Sequence, residues 1–295
     1  MYIIIFLMST KFLKKKKSFT LIELLVVIVI IGILAGVIMI STSSSINKAN
    51  ITKSKVFEGS VENNLAANMV SRWKLDGNVN DSWGLSNGTN NGVTFPNESL
   101  CVSGQCGSFN GTSYVDCGND SNLNIRGNLT IGSWIKISGS IADSYRVVSK
   151  FHNEDSSYDG YSVSFTLSAV YFQIFKNNVG SDGTISYNMP LNTFLYMTNV
   201  YDGVNLKLYI NGVYINSIAA AVSSIGTTST NLQIGRYISG IEYFTGIMDD
   251  IRIYDAALPT SQIKQNYIAG LDSLLSKSLI SKDEYGQRLS ELALK

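Results

Sequence analysis

Few residues in this chain combine a reactive type with a telling position. Glu23 is the one full charge inside the apolar run from Phe19 to Ile40. A carboxylate there is expensive unless something pairs with it, so it reads as functional. Four other carboxylates, Asp76, Asp81, Asp249 and Asp250, sit beside strand-like stretches and offer the hard oxygens a calcium ion takes. Cys101 and Cys106 flank the turn-like Val102-Ser103-Gly104-Gln105 and are the expected disulfide. Cys106 with Cys117 is the rival pair, and spacing alone does not decide between them. The single histidine, His152, excludes a multi-His site. No Cys-x-x-Cys and no Gly-x-x-x-x-Gly-Lys-Ser/Thr occurs, so a zinc ribbon and a nucleotide loop have no support. Glu154 and Asp155 are adjacent in a polar loop. Their side chains would diverge on a strand, which fits poorly with two carboxylates flanking a glycosidic bond.

The elements that position these groups begin with a helix. At about 1.5 Å per residue the run from Phe19 to Ile40 reaches roughly 33 Å, enough to cross a bilayer core. Lys14 to Lys17 precede it and hold that flank in the cytoplasm. Ile46, Ala49, Lys53, Val56, Phe57, Val61, Leu65 and Met69 then recur at three- and four-residue spacing, an amphipathic continuation to residue 69. Gly32 and Gly36 leave two readings open, close helix packing or no specific role. Residues 1–18 form a basic leader, with Met8 as an alternative start, and are expected to be removed.

The stretch Lys17-Ser18-Phe19-Thr20-Leu21-Ile22-Glu23-Leu24-Leu25 resembles the processing and methylation motif of type IV pilins and pseudopilins. The resemblance covers about residues 11 to 45. It implies cleavage between Ser18 and Phe19 by a prepilin peptidase, N-methylation of Phe19, and pairing of Glu23 with the terminal amine of a neighbouring subunit. Ser18 departs from the glycine usual before the cut.

Beyond residue 69 the period changes. Residues 70–75, 128–137, 146–151, 161–166, 169–176, 193–201, 206–210, 213–217, 231–234 and 246–254 are rich in β-branched and aromatic residues and read as strands. Asp202-Gly203 and Asn211-Gly212 are hairpin turns. Many strands at this spacing predict a sandwich or jelly roll over residues 70–258. Pro259-Thr260-Ser261 starts a tail helix with Thr260 as its cap, and Ser281 to Glu284 is a capping box for a second. Residues 259–295 thus predict a helical hairpin docked on the head or on a neighbour.

Several of these segments resemble the LamG-like, concanavalin A-like jelly roll. They are Trp73-Lys74-Leu75-Asp76-Gly77 with Asp81-Ser82-Trp83-Gly84, Ser108-Phe109-Asn110-Gly111 with Tyr114-Val115, Leu129 to Lys136, Asp202 to Gly212, and Gly246 to Tyr254. In that fold the first and last strands lie side by side. Asp76 or Asp81 then meets Asp249 or Asp250 at a structural calcium ion, the one cofactor expected. The competing reading has these acids capping turns or pairing with Arg72 and Arg252. Trp83, Tyr145, Tyr158 and Tyr237 lie in polar stretches and are candidates to stack on sugar rings, with packing under its Gly-rich loop the favoured reading for Trp83. Trp73 and Trp134 are expected in the core.

A net charge of +1 with 15% charged residues gives no basic surface for nucleic acid. The sequence therefore predicts a mainly β chain: a long N-terminal helix with transmembrane and amphipathic halves, a LamG-like jelly-roll head, and a short helical tail. The expected role is a filament subunit without catalysis, anchored in the inner membrane and then displayed on a pilus, whose head binds glycans or cell surfaces. The alternatives are a type II secretion pseudopilin and a pilus-displayed glycan-active enzyme.

Overall fold

The computed structural model describes residues 66–139, 144–152 and 158–294, with residues 21, 22, 24–26, 28 and 29 near the N-terminus. Those few N-terminal residues are helical and exposed. Ser18, Phe19, Glu23 and most of the expected helix over 19–69 lie outside the described residues. Among the described residues no helix is long and apolar enough to cross a membrane.

Among the described residues the head is built from fourteen strands. They are β1 (Met69–Trp73), β2 (Thr89–Asn91), β3 (Gly107–Asn110), β4 (Tyr114–Asp116), β5 (Leu129–Ile137), β6 (Tyr145–His152), β7 (Asp159–Phe165), β8 (Ala169–Lys176), β9 (Val179–Ser186), β10 (Leu195–Tyr201), β11 (Asn205–Ile210), β12 (Val213–Ala219), β13 (Gln233–Ile234) and β14 (Thr245–Tyr254). One sheet has the order β1-β14-β5-β10-β11-β12, with β3 also paired to β14. The second runs β2-β4-β13-β6-β7-β8-β9. All the ladders are antiparallel, so each strand can bury one face and leave the other for a different task.

Alternation along the strands makes the core. In β5, Leu129, Ile131, Ile135 and Ile137 point between the sheets, while Trp134 points away and belongs to a separate cluster. In β8, Val170, Phe172 and Ile174 face inward and Tyr171, Gln173 and Phe175 take the alternate positions. Trp73 and Trp134 are fully buried, as expected. The sequence reading missed β9. Its Val-Gly-Ser-Asp-Gly-Thr-Ile-Ser run lacks strand propensity, and edge position with one long ladder to β8 overrides that deficit. The turn into it, Asn177-Asn178, has φ of 51° and 66°, both left-handed, which asparagine tolerates.

The tail forms α1 (Thr260–Ser276) and α2 (Lys282–Ala293). Tyr267, Leu271 and Leu274 share one face of α1 and pack with Leu292 of α2 on Trp134, Tyr196 and Val213. The hairpin therefore covers the outer face of the first sheet. Gly270 allows the close approach, because a Cβ there would enter the Trp134 indole. Ser281 caps α2 by accepting from Glu284 N at 3.0 Å, as its sequence predicts. Thr260 is not a cap. Pro259 occupies that position without a side-chain bond, and the Thr260 hydroxyl lies 3.3 Å from the Tyr209 hydroxyl.

Candidate functional site

The four aspartates expected to share calcium are all tied to the protein's own donors. Asp81 Oδ1 accepts from the backbone N–H groups of Arg72, Trp83 and Gly84 at 2.9–3.0 Å, and Oδ2 accepts from Ser86 N at 3.1 Å. Asp81 therefore shapes the loop after β1. Asp250 sits in a bulge of β14 at φ 51°. Its Oδ1 accepts from Arg72 Nε at 2.5 Å and its Oδ2 from Arg252 Nε at 2.9 Å. Burial pushes the Asp250 carboxyl up, but the two guanidiniums outweigh it and hold it well below the usual carboxylate range. Asp249 Oδ2 accepts from Ser103 N at 2.9 Å and its Oδ1 is buried without a partner. Burial, with Asp250 and Asp76 nearby, raises its carboxyl well above the usual value, against the Ser103 bond and Lys277. Asp76 Oδ1 accepts from Gln105 N at 2.7 Å. Among the described residues no group of three or more His, Cys, Asp or Glu side chains is placed to hold a metal. One carboxylate neutralised by two arginines and one occupied by four N–H donors do not fit a calcium shell. The competing reading, turn caps and arginine pairs, describes Asp81 and Asp250.

Cys101 and Cys106 are joined in a disulfide, and Cys117 is a free, buried thiol. Glu154 and Asp155 lie outside the described residues.

The aromatic candidates divide. Trp83 and Tyr158 are exposed at 43% and 37%, so Trp83 does not pack beneath its loop. Tyr145 is buried against Phe165 and Phe244. Tyr237 is buried too, beneath the Arg146 guanidinium at 4.9 Å. Neither is an exposed loop platform.

The second sheet has a different outer face from the first. No helix layer covers it among the described residues. Strand registers align Thr89, Asp116, Gln233, Ser149, Ser162, Gln173 and Asp182 in a single polar row across all seven strands. The row is hydrogen-bonded on either side of Ser149, whose own buried hydroxyl has no partner. Gln173 Nε2 donates to Asp182 Oδ1 at 2.6 Å, Ser162 Oγ donates to Gln173 Oε1 at 2.8 Å, and Gln233 Nε2 donates to Asp116 Oδ2 at 3.3 Å. Arg146 NH1 donates to Ser162 and Gln173 at 2.8 and 2.9 Å, and its NH2 pairs with Glu242. Arg236 donates to Gln233 and lies over the Tyr114 ring at 3.3 Å.

Aromatic rings border this row. Two positions along the strands to one side lie Tyr114 and Tyr171; two positions to the other lie Phe151 and Phe175. Phe175 stacks near Phe151 at 4.4 Å and near Tyr158 at 5.8 Å, and its ring lies across Gly180, where a Cβ would collide with it. Tyr171, Gln173 and Phe175 are half-buried. Ser149, Ser162, Gln233 and Phe151 are buried, so the accessible part of the strip is Gln173 and Asp182 beside Tyr171 and Phe175, where polar groups can hydrogen-bond hydroxyls next to ring faces. The sequence reading missed these residues. The signal was the alternation in Ala-Val-Tyr-Phe-Gln-Ile-Phe-Lys, whose solvent-side members carry two rings and an amide.

Residues 109–264, more than half of the chain, match the Laminin G-type model of the Concanavalin A-like lectin/glucanases superfamily. The chain belongs to the concanavalin A-like lectin/glucanases superfamily. This superfamily member also carries the prokaryotic N-terminal methylation motif, the motif of type IV pilins, at residues 13–39. Its fold is similar to domain 4 of AbnA, an extracellular GH43 arabinanase from Geobacillus stearothermophilus, in complex with arabinotriose (18% identity, TM-score 0.52, 67% of this chain and 97% of that one). It is also similar to the botulinum neurotoxin serotype D binding domain (14%, 0.56, 70% and 53%). A third similar structure is of botulinum neurotoxin type C, whose cell entry depends on interaction with two ganglioside molecules (15%, 0.52, 70% and 52%). This lectin-superfamily chain thus spans about half the length of the neurotoxin chains it matches. No curated protein matches it.

Proposed function

We propose that the chain is a type IV pilin-like filament subunit whose head binds glycans through the outer face of its second sheet. The observation that carries the binding half is the accessible end of the polar row, Gln173 and Asp182, beside the half-buried rings of Tyr171 and Phe175. The methylation motif supports the assembly half. In this reading the prepilin peptidase cuts between Ser18 and Phe19, Phe19 is N-methylated, and Glu23 pairs with a neighbour's terminal amine. The subunit rests in the inner membrane before assembly and is displayed outside the cell afterwards. The head acts by holding its ligand, not by cleaving it. In support, the face's carboxylates are engaged: Glu242 by Arg146, Asp182 by Gln173, and Asp116 by Asn231 and Gln233. A general acid and a base would have to be free to exchange protons.

The test uses filaments sheared from the native cells. Intact mass is expected to show chains beginning at methylated Phe19, and Glu23→Ala cells are expected to lack filaments. On a glycan array the wild-type filaments are expected to bind a defined subset. The Tyr171→Ala/Phe175→Ala double variant is expected to lose about 10-fold or more of that affinity, as for truncated aromatic anchors. Equal binding by the double variant would move the site elsewhere on the head. Chains that retain Lys14 to Lys17 would remove the filament reading.

A further inference from the structure

The loop 98–106, whose 101–106 part is closed by the disulfide, lies beside α1 and the middle of β14, and its backbone makes hydrogen bonds to both. Two of its N–H groups go to carboxylates: Ser103 N to Asp249 and Gln105 N to Asp76. Its carbonyls go to the tail. Val102 O accepts from Ser273 Oγ. The carbonyls of Glu98, Cys101 and Gly104 converge on the Lys277 ammonium at 3.0, 3.0 and 3.1 Å. Lys277 is the C-cap of α1, the point where the hairpin turns. Three backbone carbonyls converging on one point, with Asp76 and Asp249 close by, are a donor set for a cation. Here an ammonium fills it.

We propose that the Lys277 ammonium is the resident cation of this head: it occupies the carbonyl cradle of the disulfide loop and latches the C-terminal hairpin to the sandwich, in place of the calcium ion expected from the sequence. Three features support it. The aspartates do not fit a calcium shell, since Asp250 is spent on Arg72 and Arg252 and Asp81 on its own loop. The cradle's oxygens are already pointed at a charge, and an ammonium with three donors matches three acceptors. The cysteine bridge holds Cys101 and Gly104 in one tight loop, so the cradle does not need a metal to gather it.

The experiment uses the full chain in detergent micelles, with limited proteolysis of the 259–294 tail and thermal unfolding, each in 5 mM calcium chloride and in excess EDTA. The wild type is expected to behave identically in both. Lys277→Met keeps the stem and removes the charge. Its tail is expected to be cleaved at least ~10-fold faster, since hydrogen bonds to a charged group are each worth more than a neutral bond and cleavage follows the opened population. Lys277→Arg keeps the charge and is expected to fall between the two. A calcium-dependent rise in wild-type melting temperature would overturn the proposal, and so would a Lys277→Met tail as resistant as wild type. Neither readout involves glycan binding, so this result stands apart from the proposed function.

Discussion

Asp250→Asn is the sharpest stability test of the head. Asp250 is the carboxylate that bridges Arg72 and Arg252, whose side chains are 3% and 4% exposed. Removing the charge leaves two buried guanidiniums facing an amide whose NH2 group can only donate. Asparagine is the informative substitution because position 250 is left-handed at φ 51°, which it tolerates, whereas alanine would add backbone strain. Breaking one partner out of a buried ion pair costs about 3–5 kcal/mol. Asparagine retains one acceptor, so the lower end, about 3 kcal/mol, is the working figure. For a domain of this size 1 kcal/mol moves the melting temperature by about 2–4 °C, which gives a drop of about 6–12 °C. The assay is thermal unfolding of the full chain in detergent, followed through head fluorescence, across pH. Asp250 has a folded pKa below its ordinary 3.8. Its contribution is therefore present above about pH 4 and lost as pH falls through the folded value. The gap between wild type and variant should be constant above that point and close below it. A drop under about 3 °C at pH 7, or a gap that widens in acid, would show that Asp250 is not the neutralising centre of this network.

Asp249 carries the opposite signature. Its folded pKa is raised, so the folded state keeps a proton that the unfolded chain releases, and stability falls as pH rises above the ordinary value of 3.8. Asp249→Asn should raise the melting temperature relative to wild type increasingly as pH climbs above about 4, and a pH-independent difference would contradict a raised Asp249 carboxyl. Lys150 is buried, donating to Asn119 Oδ1 at 2.5 Å and Thr230 O at 2.8 Å, and burial lowers its pKa to about 8. Its folded form sheds the proton before the unfolded form does, so stability attributable to it rises from about pH 8 to about 10.5. Lys150→Met should abolish that rise relative to wild type, and parallel pH profiles for the two proteins would refute the assignment.

Much of the fold was legible from short-range pattern. Ten strand segments announced themselves by β-branched and aromatic content, and Asn211-Gly212 by the left-handed turn it adopts at φ 52° and 76°. Where local composition and pairing disagreed, as in β9, pairing won and the sequence reading failed. Burial of polar-flanked aromatics was misread for a similar reason. Tyr145 and Tyr237 have polar sequence neighbours, yet their spatial neighbours are Phe244 and Arg146, about a hundred residues distant in each case.

Taken alone, the sequence determined what depends on neighbours within a turn or a strand. That covers the methylation motif ahead of its apolar run, the period-two strands, the Ser281 cap and a Cys101–Cys106 spacing short enough to close. Only the tertiary structure decided which side chains meet across the chain. Arg72 reaches Asp250 over 178 residues of sequence, Lys277 reaches Cys101 over 176, and the polar row on the second sheet draws one residue from each of seven strands. The physical reason is register. A residue's own strand fixes which face it takes, but which residues stand beside it is set by ladders between distant segments, and a slip of one position would send every member of the row into the core.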